Sequence, residues 1–81
     1  MKAMLYGFRR MDFVNDDGDR VCGYSCYIGY ASDGVIGQET AKQWVSSQMA
    51  KSCQWEPKVG AQLEIDFTPR GRVCAVANVE V

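Results

Sequence analysis

Aromatic and basic side chains are interleaved along this chain in a way that suits one chemistry above others. Tyr24, Tyr27 and Tyr30 stand close together in one extended stretch. Arg9 and Arg10 lie in the stretch before it, Lys42 and Trp44 in the one after it, and Arg70 and Arg72 flank Gly71. Rings offer flat π surfaces on which any base can stack, and guanidinium and ammonium groups pair with phosphates; unpaired nucleic acid is held in this way. Catalysis has less to work with. The chain has no histidine, which removes the Ser-His-Asp triad, a histidine base and histidine metal ligands. No glycine-rich phosphate loop and no argued carboxylate pair is present, so the expectation is a protein that is not an enzyme and uses no cofactor.

The other candidate chemistry is that of thiols and carboxylates. Cys22 and Cys26 are four apart, while Cys53 and Cys74 stand alone. Zinc sites need closely paired ligands, so no metal is expected. Disulfides belong to oxidising compartments. Arg9-Arg10 interrupts the apolar start of the chain before a secretory leader could form, and no run of about 20 apolar residues is present to cross a bilayer. These signs predict a cytoplasmic protein with reduced thiols and no membrane partner. Asp16, Asp17 and Asp19 lack the spacing and the distal Glu of a calcium loop and are read as a solvated turn. Nine basic and ten acidic residues give a net charge of −1, so any attraction to a polyanion must come from a local patch.

These side chains need a scaffold, and 81 residues allow a single domain, residues 1–81, with one small core. Lys2 to Val14 and Val21 to Tyr30 are rich in branched and aromatic residues and flank an Asn/Asp/Gly turn, which predicts an antiparallel hairpin. In the second stretch Cys22, Tyr24, Cys26, Ile28 and Tyr30 form the more apolar face, leaving Tyr27 on the other. Glu39 to Val45 alternates as a third strand, and Ser46 to Ser52 reads as a short helix that a serine can cap. Trp55 to Gly60 reads as a turn. Leu63, Ile65 and Phe67 alternate with polar residues; after Pro69-Arg70-Gly71, Arg72 to Val81 completes a second hairpin.

Gly7, Gly23 and Gly29 interrupt the first two strands, as they would in long strands bent to close a small barrel. Closure would also remove sticky edges. The expected fold is therefore all-β: a five-stranded OB-like barrel with a short helix between strands three and four. An SH3-like barrel is the alternative.

The motifs Tyr6-Gly7-Phe8, Asp12-Phe13 with the Asp/Gly turn, Gly29-Tyr30, Val59-Gly60-x-x-Leu63-x-Ile65-x-Phe67 and Gly71-Arg72-Val73 resemble those of small OB-like proteins of Gram-positive phages and conjugative elements. Such proteins are similar in size and strand order to the single-strand DNA-binding proteins of filamentous phages. The resemblance implies a homodimer that coats single-stranded DNA, or RNA, during replication or transfer of a mobile element. Tyr27 and Trp44 would stack bases, and Arg9, Arg10, Lys42, Arg70 and Arg72 would line one groove for phosphates. Trp44 shares a strand face with Lys42, but the alternation serves equally well with Trp44 in the core and Val45 outside. The competing expectation is a non-enzymatic interaction module that pairs an exposed strand edge with a partner. A contiguous positive strip with Tyr27 would favour the first reading, and an uncovered apolar edge the second.

Overall fold

Alternating apolar positions, punctuated by asparagine, glycine and serine signals, produce the element order of the chain. The computed structural model describes residues 1–79; Glu80 and Val81, to which the last strand was expected to run, lie outside the described residues. The elements are β1 (Lys2–Val14), β2 (Arg20–Tyr30), β3 (Glu39–Ser46), α1 (Ser47–Ser52), β4 (Gln62–Phe67) and β5 (Val73–Val79). At the β1–β2 turn Asn15 Oδ1 accepts the backbone N–H groups of Asp17 and Asp19 at 3.0 and 2.9 Å, and Gly18 takes φ 82°. The acidic run is thus a side-chain-stapled turn. Ser46 caps α1, its hydroxyl accepting the N–H of Met49 at 3.1 Å.

All pairings are antiparallel, and the strands lie in the order β3-β2-β1-β4-β5. The core forms on one side of this sheet from Leu5, Cys26, Ile28, Val45, Leu63, Ile65 and Val76, with Ala50 of α1 beside them. Cys26 and Ile28 therefore lie on the face expected from their alternation. Burial pushes the Cys26 thiol up to about 11, which leaves it protonated and inert at neutral pH. All four cysteines are free thiols in the structure. No helix among the described residues is long and apolar enough to cross a membrane, which says nothing of strands.

The strand count and the position of the helix agree with expectation, but the sheet is not closed into a barrel, OB-like or SH3-like. β3 and β5 are its two edges, and no ladder joins them. The segment from Trp55 to Gly60, expected to be a plain turn, instead contributes to the core. Trp55 is only 4% exposed. Its ring meets Tyr24 edge-on at 6.0 Å, and its indole N–H donates to Asn78 Oδ1 of β5 at 2.9 Å. Trp55 and Ala50 of α1 thus join the core on one side of the sheet, so its apolar face is covered without the sheet closing on itself. Val76 of β5, opposite Ile65, points into the same core and is 2% exposed.

β4 pairs with β1 only over Lys2 to Met4, and β3 pairs with β2 only from Gly23 onward. Residues 12–14 and 20–22 therefore project as a two-stranded arm. Such a ribbon is marginal by itself in water. It is tied by Arg20, whose Nε and Nη2 donate to the two oxygens of Asp12 at 2.9 and 2.6 Å, and by the Cys22 thiol, which donates to Oδ1 at 3.2 Å. These hydrogen bonds, Arg20 foremost, hold the Asp12 carboxyl down at about 2. The pair's contribution is thus complete above the ordinary carboxylate range, near 3.9, and is lost as pH falls toward 2. An NMR titration of Asp12 should give a midpoint near 2. The Arg20→Gln variant should move that midpoint up toward the ordinary value; an unchanged midpoint would show that the clamp does not set it.

Candidate functional site

The side of β1–β3 that faces away from the core presents the aromatic and basic residues. Side chains alternate along each strand, and the register places the outward positions in rows. Arg9 of β1, Ser25 of β2 and Trp44 of β3 form one row, and Gly7, Tyr27 and Lys42 form the next. Met11, Gly23 and Ser46 follow on one side, and Phe13 stands opposite Val21 at the far end. Tyr27 is 40% exposed and Trp44 39%, whereas Val45 is 3%. Trp44 therefore faces out and Val45 faces in, which resolves the choice that alternation left open.

Glycines make this face flat. A β-carbon at Gly23 would fall 2.6 Å from a ring carbon of Trp44, so the indole occupies space that only glycine leaves free. At Gly29 a β-carbon would strike the ring of Tyr6, whose hydroxyl hydrogen-bonds Gln38 Oε1. The register of β1 shifts between Leu5 and Gly7, an irregularity that lets Tyr6 reach over β2. Rather than bending strands for barrel closure, Gly23 and Gly29 are the floor beneath aromatic rings.

Between the rings of Phe13 and Trp44 is a cleft of about 290 Å³ lined by Met11, Phe13, Val21, Ser25, Lys42 and Trp44. Its lining is mainly apolar with one ammonium group, as in a site for a flat heterocycle that carries negative charge nearby. The outward positions of β1–β3 from Gly7 to Ser46 include Arg9 and Lys42 and no carboxylate. Among the acids, Asp12 lies on the opposite face in its clamp, Asp16, Asp17 and Asp19 are at the arm's tip, and Glu64 and Asp66 are on β4, Glu64 against the N-terminal ammonium at 3.1 Å. A chain of net charge −1 thus has a locally cationic face.

Of the seven residues expected to share one groove, four do: Arg9, Tyr27, Lys42 and Trp44. Arg72 lies at its margin, where it lines a hollow of about 320 Å³ with Gln43, Trp44 and Met49. Arg70 is exposed in the β4–β5 turn. Arg10 projects on the other side of the sheet, where its guanidinium lies 5.7 Å from the centre of the Tyr24 ring and donates to the tyrosine hydroxyl at 3.3 Å. It does not belong to the face. Tyr6 and Phe13 do belong, though sequence reasoning did not select them. Phe13 could have been found by counting two-residue steps from Arg9, whereas Tyr6 depends on the register shift.

Fold and site together define a class: an open five-stranded antiparallel sheet that displays aromatic rings between cations on its uncovered face. No family model, curated protein or solved structure matches the chain.

Proposed function

We propose that the chain binds single-stranded nucleic acid, DNA or RNA, on the outer face of β1–β3. One observation carries the reading: the face sets exposed Tyr27 and Trp44 beside Arg9 and Lys42, with no carboxylate among them. Rings alone would suit many partners. Rings flanked only by cations, in a protein whose acids outnumber its bases, suit a ligand that is aromatic and anionic at every repeat.

Pairing of a strand edge with a partner has less support. The edge strand β3 carries Glu39 and Lys42, charges that discourage strand addition.

The test is fluorescence titration with poly-dT and poly-rU at two salt concentrations. Trp44 lies on the face and Trp55 is buried, so quenching reports the face. Binding should be measurable at low salt and weaken as salt rises. No binding of either polymer at low salt would remove the reading.

A further inference from the structure

We infer that an unpaired strand lies lengthwise along β2, covering about four nucleotides, with Tyr6 and Phe13 as its two end platforms. This inference rests on the proposed function and adds a path, a length and two residues. Four rings mark positions along β2. Tyr6 covers Gly29, Tyr27 stands on β2 itself, Trp44 reaches over Gly23, and Phe13 lies opposite Val21. From Gly29 to Val21 the strand advances roughly 27 Å, at about 3.4 Å per residue.

Stacked nucleotides repeat every 3.4 Å or so, and splayed ones at roughly twice that spacing. The row of rings therefore spans about four splayed nucleotides, the short end of the range for small single-strand-binding domains. Arg9 on β1 and Lys42 on β3 lie on the two sides of this line, beside Ser25 and Tyr27, where phosphates of a strand along β2 would pass. The cleft between Phe13 and Trp44 gives one base an apolar slot with Lys42 at its rim.

Oligothymidylates of two, four and eight nucleotides, titrated at low salt, test the path. Affinity should rise steeply from two to four nucleotides, then grow only by the statistical gain of extra registers. Phe13→Ala should weaken four-nucleotide binding by about 5- to 150-fold, the equivalent of one lost stacked base. Phe13→Leu, which keeps the bulk and loses the stackable ring, should do nearly the same. Phe13 is 45% exposed and Tyr6 52%, so substitution at either leaves the core intact. Gly29→Ala acts on position alone: its β-carbon would meet only the ends of the Tyr6 and Gln38 side chains, which can move, and it should mimic Tyr6→Ala.

If Tyr27→Ala weakens binding while the Phe13 and Tyr6 variants do not, the path is overturned and the proposed function stands. If the wild type binds no oligomer or polymer at low salt, both fail together. If sedimentation shows a dimer that Phe13→Ala dissociates without changing four-nucleotide affinity, the arm's end of the face is an interface between copies, and the path is overturned.

Discussion

Trp55→Ala should destabilise the fold by about 3–5 kcal/mol, the range for emptying a large buried aromatic site. The ring is 4% exposed, stands edge-on to Tyr24 at 6.0 Å, and fixes the 53–56 segment to β5 through Asn78. Asn78 holds the same segment a second time, its amide donating to the Glu56 carbonyl at 3.4 Å. A small domain has only about 5–15 kcal/mol in total, so this loss should leave a substantial unfolded population. Trp55→Phe should be milder, because it keeps most of the volume and Asn78 is exposed enough for water to replace the indole. Urea unfolding followed by circular dichroism measures both. A shift below 1 kcal/mol for Trp55→Ala would mean that the tryptophan is not part of the stabilising core.

The second large effect concerns binding. Tyr27→Ala should cost about 1–3 kcal/mol of affinity for single strands, the value of one stacked base, with little dependence on salt. Lys42→Ala, at the neighbouring position of the same row, should act differently. It should reduce the slope of log affinity against log salt by about 0.7, the single-strand value for one phosphate contact. Arg10→Ala is the contrast, because its guanidinium is held against Tyr24 on the other side of the sheet. It should leave the slope unchanged. If Arg10→Ala flattens the slope while Lys42→Ala does not, the strand binds the core-side surface and the face has been wrongly assigned.

Much of the scaffold was legible because its signals are local. Leu63 and Ile65 alternate with polar neighbours, a serine precedes a short stretch free of Gly and Pro, and Cys26 and Ile28 share the more apolar side of β2. Closure was not legible, because it depends on what fills the gap between strands distant in sequence. Trp55 lies in a segment with Pro57 and Gly60 that has every local mark of a turn; only its tertiary neighbours reveal it as core. Trp44 and Val45 could not be separated by alternation, since both phases place a large apolar residue inward. The strand glycines suggest bends for closure, whereas Gly23 makes room for Trp44 and the β3 backbone and Gly29 for Tyr6, neighbours that only the sheet pairing brings in. Arg9 and Arg10 lie on opposite faces, as alternation predicts, so only Arg9 shares the face of Tyr27.

The separation of charge described above governs how the protein would meet a polyanion in solution. Seen from beyond a screening length, the molecule is almost neutral, so its net charge does little to speed collisions. At close range it behaves as an electrical compass. The three aspartates of the arm's tip stand just beyond Phe13 and would repel a polymer that overran that end of the path, while Arg9 and Lys42 would attract it at mid-face. Capture should therefore be slow to begin but oriented once begun. Smooth anionic surfaces that offer no bases to stack would hold such a molecule weakly, which favours selectivity over speed.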